Sequence, residues 1–203
     1  PLVEKYIGSL PTSKAVEYAV VDDGVRYAGN ITNEFRTKME QPKVSVRLIY
    51  TGAMEDNAKN RLIVDLLSRA LDSRYMVSIR EEKGGTYGVS VQGGIDEYPT
   101  ENYFVGIVFD TNEQLADELV DICYNEIQKI AEEGPLAEDV AKAKEFLQKN
   151  YNNVLENNGG WMSAITRWYE EGYNYKEEYL GILESVTLDD VKAFAQKMLD
   201  DNN

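Results

Sequence analysis

The sequence predicts an α+β fold: a layered domain in which a mostly antiparallel sheet packs on helices. Three observations carry that prediction. From Val44 to Thr51 apolar and polar residues alternate, with Val44, Val46, Leu48 and Tyr50 on one face and Ser45, Arg47 and Ile49 on the other. From Asp56 the period becomes helical, with Leu62, Leu66 and Ala70 in one row and Ile63, Leu67 and Leu71 beside it. Strand-like runs then occur in adjacent pairs, before a largely helical remainder, which suits helices covering one side of an antiparallel sheet.

The elements follow in chain order. Residues 1–9 read as the end of a helix stopped at Leu10-Pro11, and a polar connector follows. Two strands are expected at Ile31–Met39 and Lys43–Thr51, separated by Gln41-Pro42. The helix after Asp56 takes Asp56 or Asn57 as its N-cap and runs to about Arg80, ending at Gly84-Gly85. Tyr87–Gln92 reads as a strand, Gly93-Gly94 and Tyr98-Pro99 as a turn region, and Asn102–Phe109 as the next strand. Leu115, Leu119, Ile122, Cys123, Ile127 and Ile130 form a helical stripe closed by Gly134-Pro135. Val140, Ala143, Leu147, Tyr151 and Val154 form another. A Gly159-Gly160 break precedes a short helix bearing Trp161, Ile165 and Trp168, read as core or inter-module packing. Thr187 with Asp190 looks like a capping box for a last helix through Val191, Phe194 and Met198. The expected organisation is one module over residues 1–203, β-rich at about 15–110 and helical from 111.

Composition narrows the function. Among 203 residues, 36 acidic side chains face 21 basic ones, for a net charge of −15. Such a chain repels phosphate backbones, so no nucleic-acid partner is expected. No stretch is long and apolar enough to predict a membrane segment, and a soluble protein is expected. The compartment is not legible, a bacterial cytoplasm or periplasm being the expectation. There is no histidine, which removes Ser/His and Cys/His triads and every histidine-ligated metal site. Asp22-Asp23-Gly24 lacks the alternating spacing of a calcium loop and reads as a turn. The lone Cys123 lies on an apolar stripe and reads as a buried thiol. No metal site and no cofactor are expected in this chain.

The segment Ser73–Gly94 carries the chemistry. Arg80 falls near the end of a long helix and Tyr87 begins a strand after a Gly-Gly break. A tight turn between them would bring guanidinium and phenol to one edge of the sheet, as two donors suited to a peptide carbonyl or an oxyanion. From spacing alone a structural role stands beside this one, with Arg80 paired to a nearby carboxylate and Tyr87 packed as a strand aromatic.

The run Ile79-Arg80-Glu81-Glu82-Lys83-Gly84-Gly85-Thr86-Tyr87-Gly88 also resembles the R-E-x-x-G-x-x-Y signature of C-terminal modules in pitrilysin/insulinase-type zinc metallopeptidases. Leu2–Pro11, Glu126–Pro135 with Ala141–Lys144, and Val186–Val191 resemble further parts of such a module, in the same order. The resemblance implies that zinc sits on an inverted H-x-x-E-H helix of a different, N-terminal module. It implies that Tyr87 is catalytic, donating a hydrogen bond to the scissile carbonyl or tetrahedral intermediate. Arg80, together with Tyr87, would bind substrate backbone. The partners implied are a peptide substrate and the zinc-bearing module, in the same chain or a partner subunit. A homodimer of the fragment through an unpaired sheet edge is a further expectation. The alternative is a non-catalytic partner or scaffold module of the same fold. The helix-interior look of Leu2–Ile7 suggests a piece of a longer chain.

Overall fold

The computed structural model describes residues 1–10, 21, 28–81, 83, 84, 86 and 88–203, with Glu81 described by its backbone alone. Its elements are α1 (Leu2–Tyr6), β1 (Val44–Ala53), α2 (Ala58–Tyr75) continued by a π-helical turn (Met76–Glu81), β2 (Val89–Asp96) and β3 (Asn102–Thr111). Five helices follow: α3 (Ala116–Glu133), α4 (Ala137–Glu156), α5 (Asn158–Glu171), α6 (Tyr175–Ser185) and α7 (Leu188–Asp201). The expected α+β layering is what forms.

Among the described residues the sheet has three antiparallel strands in the order β1-β3-β2. Register follows the apolar alternation. Val46, Leu48 and Tyr50 face Phe109, Ile107 and Val105, while Val89 and Val91 take the other side of Phe109 and Ile107. All of these lie on the face covered by helices, whereas Ser45, Arg47 and Ile49 point to the opposite, exposed face.

The central element is α2, which packs against β2 and is flanked by α4, α6 and α7. Its two apolar rows widen into a nearly complete belt: Leu62, Ile63, Val64, Leu66, Leu67, Ala70, Leu71 and Tyr75 are all buried. Asn57 is its N-cap, accepting from the Asn60 amide at 2.9 Å. Opposite it, α3 contributes Leu119, Cys123, Ile127 and Ile130, and α7 contributes Val191, Phe194 and Met198. The Thr187–Asp190 capping box forms as expected. The end of α7 is tied to the sheet where Asp201 accepts from the Tyr103 hydroxyl at 2.8 Å.

Two expectations are corrected. Ile31–Met39 is not a strand, and Ile31, Phe35 and Met39 are exposed. Residue types alone do not make a strand: no ladder partner is supplied to it among the described residues. Gly93-Gly94 is not a turn but lies inside β2, opposite Val105 and Phe104. Its reason is packing, because a Cβ on Gly93 would sit 2.3 Å from Ser68 Oγ and 2.8 Å from Val64 Cγ1. A helix that the sequence reading passed over, α6, occupies Tyr175–Ser185. Trp161, Ile165 and Trp168 are exposed on α5, so of core and inter-module packing the first does not occur within the described structure. Asp22-Asp23-Gly24 lies outside the described residues.

Candidate functional site

Arg80 is delivered by the way α2 ends. The last turns are anchored from three directions: the buried Tyr75 hydroxyl donates to the Cys123 carbonyl at 3.0 Å, Ser78 Oγ to the Arg74 carbonyl at 3.0 Å, and Arg74 Nε to Glu126 at 3.1 Å. Burial of Tyr75 pushes its phenol well above the ordinary range, so this hydroxyl stays a donor. The chain then widens into the π turn Met76–Glu81. That one-residue underwinding sends Ile79 fully into the core and leaves Arg80 next to it exposed. Arg80 Nη1 lies 3.2 Å from Met76 Sδ. Among the described residues no carboxylate pairs with its guanidinium.

The reversal after Arg80 is built by Gly84, whose left-handed φ of +61° a side chain would strain, and whose amide donates to the Arg80 carbonyl at 3.1 Å. Lys83 pairs with Glu118 at 2.6 Å, fixing this turn against α3. Thr86 and Gly88 exchange two hydrogen bonds through Thr86 Oγ1, at 3.0 and 3.2 Å. Val89 then enters the sheet beside Phe109. The π turn packs against β2, and Asp72 of α2 accepts from the Val91 amide at 3.1 Å. The segment bearing Arg80 and the strand that follows position 87 are therefore held together. Tyr87 itself lies outside the described residues.

The π turn was not foreseen. Two surface depressions were also missed. One, of about 480 Å³, runs between α2 and the outer edge of β2, lined by Asp65, Arg69, Asp72, Gln92 and Gly93. The other, of about 620 Å³, lies between α5, the start of α2 and the β2–β3 connection, lined by Asp96, Tyr98, Met162 and Arg167 among others. At its edge Arg61 bridges Asp56 and Glu171, the latter at 2.7 Å.

A zinc centre needs nitrogen or thiolate donors converging on one point. The sequence has no histidine, and among the described residues no three His, Cys, Asp or Glu side chains converge on a point that could hold a metal. The one thiol, Cys123, is buried in the core, and burial pushes it up to about 12.

What these features amount to is a module that exposes Arg80 on a π turn packed against β2, with no metal-ligand cluster among the described residues. Residues 1–147 match the family described as the peptidase M16 inactive domain, and the chain belongs to that family. An Arabidopsis thaliana protein named zinc protease PQQL-like is 25% identical over 183 residues, covering 84% of this chain and 19% of that protein. The fold matches the periplasmic protease PqqL from Escherichia coli with a TM-score of 0.79 at 19% identity, over 97% of this chain and 22% of that one. The first half of PqqL, solved separately, matches with a TM-score of 0.71 at 13% identity, over 99% of this chain and 46% of that half. The ferredoxin protease FusC, solved in complex with Arabidopsis ferredoxin, matches with a TM-score of 0.70 at 16% identity over 97% of this chain and 21% of that one. The chain thus spans about a fifth of the length of the curated relative and of these full-length structures.

Proposed function

We propose that residues 1–203 form one substrate-holding module, the half of a zinc peptidase that binds no metal and helps close a chamber around a peptide. The observation that supports this most is the placement of Arg80. The π turn presents it, exposed and with no carboxylate partner among the described residues, against the strand that follows Tyr87. In this reading Arg80 holds substrate backbone through its fork of N–H donors. Tyr87 donates a hydrogen bond to the scissile carbonyl and keeps it as negative charge develops on that oxygen. Zinc belongs to another module, which supplies its own ligands. Peptides or unfolded protein segments are the substrate class, consistent with relatives named as proteases.

The reading is tested by binding rather than turnover. In the full-length protein, affinity for a non-cleavable peptide analogue is measured by calorimetry for the parent and for Arg80→Ala. A fall of about tenfold or more, the loss of roughly one hydrogen bond to a charged group, supports a substrate contact at Arg80. Unchanged affinity removes Arg80 from the site. If Arg80→Ala weakens binding while the full-length protein cleaves no peptide at all, the module serves a non-catalytic relative that has kept the fold for binding.

A further inference from the structure

The π turn that exposes Arg80 also brings a sulfur atom against it. Met76 opens that turn, and its thioether accepts from Arg80 Nη1 at 3.2 Å. Residues four apart on a helical turn are neighbours, so the contact is set by the backbone of the turn itself. A thioether is a weak acceptor, and a guanidinium carries five N–H donors. The sulfur therefore steadies Arg80 without holding it strongly, and the arginine leaves it at little cost.

Exposure decides what else happens to this sulfur. Of the five methionines, Met198 is fully buried and Met54 packs against the core. Met76 is half-buried, at a place where the turn passes from core to solvent: Tyr75, Ser78 and Ile79 are buried, while Val77 and Arg80 are exposed. A small oxidant reaches such a sulfur without opening the core. With hydrogen peroxide, a sulfur lone pair attacks one peroxide oxygen, and the S–O bond forms as the O–O bond breaks. The proton of the transferred oxygen passes to the departing hydroxide, which leaves as water. Sulfur loses two electrons and peroxide gains them. The product, methionine sulfoxide, is polar and is reduced back to methionine by methionine sulfoxide reductases.

Oxidation changes the contact in kind. The sulfoxide oxygen carries partial negative charge, and a hydrogen bond to it from a guanidinium is charge-assisted where the thioether gave a weak one. Among the described residues no carboxylate competes for Arg80. We propose that Met76 is a peroxide-sensitive modification site whose sulfoxide binds the Arg80 guanidinium and withholds it from a peptide carbonyl. The withholding from substrate rests on the reading of Arg80 as a substrate contact; the modification and its grip on Arg80 do not.

The test treats the full-length protein with hydrogen peroxide and takes two readouts, for the parent and for Met76→Leu. The first is the rate at which phenylglyoxal, an arginine reagent, modifies Arg80, followed on its peptide by mass spectrometry, which also reports the oxidation of Met76. The second is affinity for the non-cleavable peptide analogue. In the parent, the sulfoxide should slow phenylglyoxal at Arg80 several-fold and weaken the analogue about tenfold, as far as Arg80→Ala does. A methionine sulfoxide reductase should restore both, and Met76→Leu, which keeps an apolar side chain of similar volume, should show neither response. A Met76 that resists peroxide, an oxidised Met76 with Arg80 as reactive as before, or equal responses in Met76→Leu would overturn the proposal. Protection of Arg80 with no loss of analogue affinity supports the modification site and refutes the substrate contact at Arg80 instead.

Discussion

Replacing Gly93 sets two rules of β-structure against each other. Strand propensity ranks valine far above glycine, so Gly93→Val in the middle of β2 should stabilise the sheet by up to about 1 kcal/mol. Packing says the opposite. The first carbon added to Gly93 meets Ser68 Oγ at 2.3 Å and Val64 Cγ1 at 2.8 Å, where ordinary contact begins near 3.4 Å. Neither neighbour yields cheaply. Val64 is fully buried, and the Ser68 hydroxyl is committed to the Val64 carbonyl at 2.8 Å.

Overpacking of this kind costs about 1–3 kcal/mol. Gly→Ala returns about 0.4–1 kcal/mol by restricting the unfolded chain. The upper half of the first range applies, because two contacts are short at once, and Gly93→Ala therefore destabilises by about 1–2.6 kcal/mol net. Gly93→Val, with two more methyl groups in the same space, destabilises more than Gly93→Ala. Urea unfolding followed by circular dichroism measures both, and each kcal/mol lowers Tm by about 2–4 °C in a domain of this size. Ser68→Ala removes the closer of the two contacts, so it should recover part of the loss in the Gly93→Ala background and little elsewhere. If Gly93→Val were as stable as the parent, the packing of α2 on β2 described above would be wrong, and with it the position of the helix that delivers Arg80.

Three further outcomes are expected. Thr187→Ala removes the N-cap of α7 and should cost about 1 kcal/mol by denaturant unfolding; no measurable loss would mean that α7 is fixed by its apolar face alone. The Thr187 amide, and after it Lys59, hold the Asp190 carboxyl below its ordinary value of 3.8. A depressed carboxyl stabilises fully above that value and loses its contribution as pH falls below it, so Asp190→Asn should flatten the acid limb of a stability–pH curve, and an unaltered limb counts against the linkage. Cys123, raised by burial from 9.0 to about 12, carries roughly a thousandth of the thiolate of a free thiol; native protein at pH 8 should resist iodoacetamide and react on unfolding in urea, whereas rapid native labelling would show the core open at α3.

Much of the layering was legible because amphipathic period is a local property. The face of β1, both rows of α2, the stripe of α3 and the Thr187–Asp190 box each follow from residues within two or three turns of one another. What failed depends on partners distant in sequence. Ile31–Met39 reads as a β-rich run but finds no ladder among the described residues. Gly93-Gly94 looks like punctuation, and only the approach of Ser68 and Val64 from α2 reveals why glycine is needed there. The aromatic side of α5 resembles a core stripe in every local respect, and nothing in its own sequence says whether a neighbour exists to cover it. For the candidate site, the motif from Arg80 to Tyr87 was visible as residue types in order, while the π turn that exposes Arg80 beside a buried Ile79 was not, since it depends on how Tyr75, Ser78 and Arg74 are anchored.

The most direct measurement is the steady-state kinetics of Tyr87→Phe in the full-length protein, with a peptide substrate. The substitution removes one hydroxyl and leaves the ring. If Tyr87 stabilises charge developing on the scissile oxygen, kcat falls by about 100- to 1,000-fold, the loss of roughly 2.7–4 kcal/mol that a removed oxyanion donor causes, while KM changes little. An unchanged kcat would contradict the catalytic role assigned to this tyrosine and leave the module with a binding or scaffolding part only.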